Sequence, residues 1–263
     1  MLATIIVDAY EKTEISEFSE ALDELCNPCD NYGWASAGIY SFWNYETKEI
    51  LYIGLAVDLL LRFKQHNGLL PCDPKSCKVD YINEYFTHYD KIGYSIMVQS
   101  TLSQPITSKN KSDEPDGETM YEMGLEPEDF IIKRDAKDRD DIKNVEGILL
   151  ECYRRKNKKY PVWNGMGGAM VGRKRANPGN YKDIVESFTR LEPHLLVSRS
   201  TLRELAQNPT YERYENFLHA IRFSMLRMGL NWEIALKLVL PHDVLGTYKE
   251  MLKVGYLERI LSV

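Results

Sequence analysis

The feature that most constrains the fold is a run of alternating aromatic and aliphatic residues, GIYSFWNYETKEILYIG, at 38–54. Two β-rich segments, 37–43 and 50–54, flank the polar sequence NYETKE, and this pattern predicts an antiparallel hairpin. The hairpin carries the triplets Gly-Ile-Tyr and Tyr-Ile-Gly, which are separated by eleven residues. We therefore expect Tyr40 and Tyr52 to stand side by side on adjacent strands.

Periodicity and capping signals predict further elements on both sides of the hairpin. The predicted elements are strands at 3–7 and 92–100, helices at 15–25, 58–67, 81–86 and about 141–157, and a helical region from 181 to 263 that is broken at prolines. Asp58 is placed to cap the helix that follows the hairpin. Residues 103–129 are polar and acidic with three prolines, which is typical of a surface insertion.

This order of elements predicts an α+β chain with a small, mostly antiparallel sheet flanked by helices and an all-helical C-terminal domain. The predicted divisions are an N-terminal extension at 1–33, an α+β domain at 34–182 that contains the insertion, and a helical domain at 183–263.

Features downstream of the hairpin, taken with its two triplets, resemble the GIY-YIG nuclease superfamily. This superfamily includes phage homing endonucleases, the incision enzyme of bacterial excision repair and certain restriction enzymes. Arg62 lies ten residues after Tyr52, where the family carries its arginine, and His66 matches a histidine of the restriction branch. The resemblance covers about residues 36–165, and several elements in one order are more specific than either triplet alone.

The sequence EGILLECYRRKNKKYPVWN resembles the second helix of the family and the segment that follows it. This match places the metal-binding glutamate at Glu151 and the family's asparagine at Asn164. Glu146 is a competing assignment, because the step from Glu151 to Asn164 is about one residue longer than in the excision-repair pattern. Glu151 is favoured since Glu146 falls on the apolar stripe of the helix.

The resemblance implies a metal-dependent endonuclease, a hydrolase that cleaves phosphodiester bonds of DNA. Tyr40 and Tyr52 would activate water, and a nearby cation would make the Tyr40 phenolate more accessible. Arg62 would stabilise the scissile phosphate with its planar fork of donors.

The other implied site residues concern the metal and the shape of the site. Glu151 suits one hard divalent ion, Mg²⁺ or Mn²⁺. His66 would assist proton transfer or bind a phosphate, and Asn164 would support the geometry of the site. Two alternatives stay open: a nucleic-acid-binding module that keeps the scaffold without cleaving, and a scaffold protein that acts through its C-terminal helices.

One basic segment stands out in an otherwise acidic chain with a net charge of −6. Residues 142–182 contain 10 Lys and Arg against 2 acidic residues, a local net charge of +8. Its candidate nucleic-acid-binding residues are Arg154, Arg155, Lys156, Lys158, Lys159, Arg173, Lys174 and Arg175. Beside an active site they would neutralise phosphates flanking the cut, whereas the ordinary alternative is a solvated helix face.

The chain contains five cysteines, Cys26, Cys29, Cys72, Cys77 and Cys152. They allow two interpretations. Without an export signal, reduced thiols are the default expectation. The alternative is a structural Zn²⁺ site in which Cys26, Cys29, Cys72 and Cys77 tie the N-terminal extension to the loop after the Arg62 helix.

The C-terminal region has balanced charge and apolar residues at helical spacing, which predicts a small core rather than a DNA-binding arm. We expect these helices to form a homodimer contact or to pack on the nuclease domain, with target recognition as the alternative.

No apolar run is long enough to span a bilayer, and the N-terminal residues lack the basic segment of a secretory signal. The expected location is the cytoplasm.

Overall fold

The computed structural model describes residues 2–26, 34–73, 77–100, 136–176 and 181–263. The strands are β1 (Leu2–Glu11), β2 (Trp34–Asn44), β3 (Ile50–Ala56) and β4 (Lys91–Ser100). The helices are α1 (Ile15–Cys26), α2 (Leu59–His66), α3 (Val79–Tyr85), α4 (Ala136–Asn157), α5 (Met170–Arg175), α6 (Tyr181–Glu186), α7 (Leu202–Gln207), α8 (Pro209–Met228), α9 (Trp232–Val239) and α10 (Thr247–Lys253). The insertion predicted at 103–129 lies outside the described residues.

The strands form one four-stranded antiparallel sheet in the order β1-β4-β2-β3. The α+β class and the small antiparallel sheet are therefore confirmed. β1 pairs with β4 along almost its whole length, so the segment interpreted as an N-terminal extension supplies an edge strand of the sheet. Its interior residues are buried on both faces, and for this reason it reads as a continuous apolar run rather than an alternating one.

Helices cover both faces of the sheet. One face presents large aromatic residues, and α1, α2 and α7 pack on it; its members include Tyr10, Tyr40, Phe42, Tyr94, Phe18 and Phe63. The other face is mainly aliphatic and packs against α4 and the residues around α6; its members include Ile5, Val7, Ile39, Trp43, Leu149 and Phe188. This division follows from the alternation of side chains along each strand.

The register of the hairpin formed by β2 and β3 places the tyrosines of the two triplets close together. Tyr40 lies opposite Gly54, and Phe42 lies opposite Tyr52, so the two tyrosines are diagonal neighbours on one face. A Cβ atom on Gly54 would lie 2.8 Å from Tyr40 Oη, and one on Gly38 would lie 2.5 Å from the carbonyl oxygen of Met97 on β4. Each triplet therefore contains glycine because a neighbouring group occupies the space of a side chain.

The last helices have a small core of their own and a firm attachment to β1. Tyr214, Leu218, Ile221, Met251 and Tyr256 form this core. The predicted helical C-terminal region is present, but residues 190–201 are not helical. Within that stretch Val197 forms a parallel bridge with Ile5 of β1.

Candidate active site

A cleft of about 510 Å³ opens where β2, β3 and α2 meet α4. The polar side chains that line it include Tyr40, Tyr52, Arg62, Lys78, Tyr81, Glu146 and Asn164. The structure thus brings together four residues that the sequence analysis singled out, together with the competing carboxylate Glu146. Lys78 lines the cleft as well, and the sequence analysis did not single it out.

Tyr40 and Tyr52 lie side by side with their ring centroids 5.7 Å apart. Tyr40 is almost fully buried, at 2% exposure, whereas Tyr52 is partly exposed. Burial raises the pKa of both hydroxyls, and Arg62 opposes this rise at each of them. A hydrogen bond from Tyr40 also lowers the pKa of Tyr52. Both tyrosines line the cleft, and Tyr52 is the more accessible of the two.

His66 lies behind the tyrosines at the end of α2 and is fully buried. Burial, followed by the charges of Arg62 and Lys78, lowers its pKa to about 3, so the imidazole is neutral near pH 7. The backbone N–H of Lys78 donates to Nδ1 at 3.1 Å. The ring proton therefore sits on Nε2, which faces the Tyr40 hydroxyl oxygen at 2.7 Å and donates to it. His66 orients Tyr40 and does not carry a charge of its own.

Two cationic side chains reach the cleft from the segments on either side of the Cys72–Cys77 loop. Arg62 projects from α2, whose N-terminus is capped by Asp58 through a bond to the backbone N–H of Leu61. The Lys78 amine lies 4.9 Å from the centre of the Tyr52 ring and 5.3 Å from that of Tyr81. A guanidinium and an ammonium at one opening make the cleft suited to an anionic group such as a phosphate.

Asn164 holds the edge strand β3 in place. Its side-chain amide accepts from the N–H of Ile53 at 2.9 Å and donates to the carbonyl of Ile53 at 2.8 Å. Nearby, the N–H of Trp163 donates to the carbonyl of Leu51. These bonds cover the open edge of the sheet and fix the strand that carries Tyr52, which is the supporting role expected for Asn164.

The two candidate carboxylates of α4 lie in different surroundings. Glu146 lines the cleft, and Leu55 donates a backbone hydrogen bond to it. Burial raises the pKa of Glu146 to about 7. Among the described residues no salt bridge balances its charge. Its position in the helix stripe, which argued against it in the sequence, is what turns it toward the sheet and the tyrosines.

Glu151 points away from the cleft and is committed to two arginines of its own helix. Arg154 binds it through two bonds of 2.8 Å, and Arg155 binds it at 2.9 Å. These hydrogen bonds lower its pKa to about 2. Because its oxygens are already bound by guanidinium groups, Glu151 does not share a site with Tyr40 and Tyr52. In the structure it does not line the cleft, which differs from the position expected from the sequence.

The basic run is also placed differently from the prediction. Besides the two arginines on Glu151, Lys156 pairs with Glu186 and Lys159 pairs with Glu49. Arg173, Lys174 and Arg175 form the last turn of α5, and none of the eight basic residues of this run lines the cleft. The cations beside the tyrosines are instead Arg62 and Lys78.

The cysteines meet the expectation of reduced thiols only in part. Cys72 and Cys77 pair as a disulfide with their Cα atoms 5.9 Å apart, so for these two the expectation of reduced thiols is not met. Cys26 and Cys152 are free and buried, and Cys29 lies outside the described residues. Among the residues that the structure describes, Cys26 is not part of any metal-binding group.

Comparison of the chain with protein families, with curated proteins and with solved structures finds no match. In the part of the chain that the structure describes, no helix combines the length and apolar character needed to cross a bilayer.

Proposed function

We propose that this protein is a metal-dependent nuclease that hydrolyses phosphodiester bonds of DNA at the Tyr40–Tyr52 cleft. The observation that carries the proposal is the convergence on one cleft of two tyrosines, Arg62 and Glu146, whose carboxylate has no salt bridge among the described residues. Hydrolysis of a phosphodiester needs a base for water and fixed positive charge for the developing oxyanions. The cleft supplies groups for both.

The side chains divide these tasks according to their position. Arg62 binds and orients the scissile phosphate through its fork of donors. Tyr52, the more accessible of the two tyrosines, would accept a proton from the attacking water as its phenolate, a form that Arg62 favours and that requires its own phenolic proton to leave first to solvent. Tyr40 supports Tyr52 through their hydrogen bond, and His66 in turn donates its Nε2 proton toward Tyr40. Asn164 keeps Tyr52 in position through the backbone of β3.

The residues present fit one hard divalent cation. Glu146 offers a partly buried carboxylate whose pKa is raised to about 7, and tyrosine hydroxyls supply further oxygen donors beside it. Oxygen ligands of this kind suit Mg²⁺ or Mn²⁺. When bound, the ion would neutralise charge on the phosphate and lower the pKa of nearby hydroxyls. Glu146 replaces Glu151 as the residue proposed to hold it.

The experiment compares cleavage of supercoiled plasmid, linear duplex DNA, single-stranded DNA and RNA in Mg²⁺, Mn²⁺ or EDTA. Arg62→Ala is expected to slow cleavage by about 10²–10³-fold, as for loss of one transition-state donor. Glu146→Gln is expected to slow it by at least about 100-fold, since even outer-shell changes at metal sites cost 10–100-fold.

Glu151→Gln is the matched control, because it removes the same charge from the same helix outside the cleft. It should leave the cleavage rate within about 3-fold of the wild type, in line with the small effects of most changes away from a site. Cleavage that persists in EDTA, or that depends on Glu151 and not on Glu146, contradicts the proposed site. Salt-sensitive DNA binding without cleavage would identify a binding module instead.

A further inference from the structure

Three soft or borderline metal-ligating side chains meet at His66, behind the tyrosines of the cleft. The ligand atoms of His66, Cys72 and Cys77 all lie within 4.8 Å of one another. His66 is buried, and both cysteines are partly buried. The hard oxygen donors of the cleft and this nitrogen–sulfur trio are separate donor sets that share only the neighbourhood of one imidazole.

The fold brings these donors together through the chain reversal after α2. Cys77 Sγ lies 3.3 Å from the carbonyl oxygen of Gln65 in the last turn of the helix. The backbone N–H of Cys77 donates to the carbonyl of Asp73 at 2.9 Å, and the Cα atoms of the two cysteines are 5.9 Å apart. The sulfur atoms are therefore held against the end of α2, where His66 is the last helical residue.

We propose that, when the Cys72–Cys77 disulfide is reduced, His66, Cys72 and Cys77 bind one zinc ion. A dithiol reductant supplies two electrons and two protons and leaves as its own disulfide. Zinc then displaces the two thiol protons to solvent and is held by two thiolates and one imidazole nitrogen. Thiolate and imidazole ligands select zinc over Mg²⁺, and three protein ligands leave a fourth position for water.

Only one nitrogen of the His66 imidazole is available to bind the zinc ion. Nε2 is committed to the Tyr40 hydroxyl at 2.7 Å, so Nδ1 is the ligand. Nδ1 now accepts the N–H of Lys78 at 3.1 Å, and zinc takes over that lone pair. The proton stays on Nε2 in both states, because a metal on one ring nitrogen fixes the tautomer of the other. The disulfide and the zinc-bound state thus present the same donor to Tyr40.

Cobalt binding tests this inference without any cleavage assay. The full chain is reduced with a phosphine, stripped of metal and titrated with Co²⁺, which replaces zinc and reports its ligands by absorption. We expect one Co²⁺ per chain, a sulfur-to-cobalt charge-transfer band in the near ultraviolet and the intense visible bands of a tetrahedral site. Zn²⁺ should abolish these bands by displacement, and the oxidised protein should not develop them.

Cys72→Ser and Cys77→Ser should each weaken cobalt binding by at least about 100-fold, since even outer-shell changes cost 10–100-fold. Cys152→Ser is the matched control, because it removes a buried cysteine outside the trio and should leave the spectrum unchanged. A folded, reduced wild-type protein without the charge-transfer band overturns the inference, as does a band that survives the change of both cysteines. These readouts do not depend on nuclease activity, so the two proposals fail separately.

Discussion

At the scale of single residues, burial determines what the titratable groups of the cleft can do. It raises the pKa of Glu146 to about 7 and lowers that of His66 to about 3, so near pH 7 the imidazole is neutral and the carboxyl is only partly ionised. In contrast, Glu151 has two arginine partners and a pKa of about 2. Glu146 is a partly buried carboxyl that lacks a salt-bridge partner among the described residues, which is why we propose it, rather than Glu151, as the cation ligand.

Glu146 makes the free energy of unfolding depend on pH in a defined direction. Its folded pKa of about 7 exceeds the ordinary value of 4.5, so the folded state holds an extra proton between these values. The resulting stability is present below pH 4.5 and is lost as the pH rises through about 7. A change of this size corresponds to at most about 3 kcal/mol. Denaturant unfolding of wild type and Glu146→Gln at about pH 5 and pH 8 measures it.

The wild type should lose stability relative to Glu146→Gln between these two conditions. Glu151→Gln is the control, because the pKa of Glu151 is lowered to about 2 and its contribution is lost only as the solution becomes more acidic than pH 4.5. An equal pH dependence in the wild type and Glu146→Gln would show that Glu146 ionises freely in the folded protein.

At the scale of elements, two glycines allow α4 and α5 to cross in contact. A Cβ atom on Gly147 would lie 2.4 Å from the carbonyl oxygen of Ala169, and one on Gly172 would lie 2.1 Å from that of Asn144. These neighbours are backbone atoms, so no side-chain rotation relieves the overlap. The crossing holds the segment that includes Gly168 against Glu146, since a Cβ at Gly168 would lie 3.3 Å from Glu146 Oε2.

Gly172→Ala is therefore expected to destabilise the protein, although alanine is the better helix former. Alanine gains up to about 1 kcal/mol in helix propensity, while the overlap forces the two helices apart at a cost of about 1–3 kcal/mol or more. Chemical denaturation should show a net loss of stability. Gly165→Ala is the control, because a Cβ there meets nothing within 4 Å. A Gly172→Ala protein as stable as the wild type would mean that the crossing tolerates separation.

The sequence predicted those parts of the fold that depend on local pattern. Alternation gave the hairpin and the pairing of Tyr40 with Tyr52, and the Asp58 cap placed α2 and its Arg62. The sequence did not predict which side of α4 faces the cleft. Two arginines within one turn of the same helix bind Glu151, whereas the contact of Glu146 with the sheet depends on how the helix packs in the folded chain. Lys78 was not predicted for the same reason. It lies twelve residues beyond the end of α2, and it reaches the cleft only because the chain returns there.

At the scale of the whole molecule, a buried ionic group joins the C-terminal helices to β1. Arg222 of α8, 1% exposed, donates to Glu215 at 2.6 Å and to Thr4 of β1 at 3.2 Å. It also donates to the carbonyls of Leu195 and Val197 at 2.9 Å. These bonds tie α8 to the segment that bridges to β1. We therefore expect the sheet and the last helices to unfold together in one transition.

Arg222→Met tests whether this joint is what makes the molecule a single cooperative unit. The change keeps most of the side-chain volume but leaves Glu215 buried without its ion-pair partner, a situation that typically costs about 3–5 kcal/mol. Arg227→Met is the control, because Arg227 is an exposed arginine in the last turn of the same helix and its loss should cost no more than about 0.5 kcal/mol. Thermal unfolding followed by circular dichroism and by tryptophan fluorescence would report both variants. A large loss for Arg222→Met with coincident transitions supports a single unit, since the damage at the joint reaches the sheet. If the sheet kept its wild-type midpoint while the helices melted early, the C-terminal region would be an independent domain resting on β1.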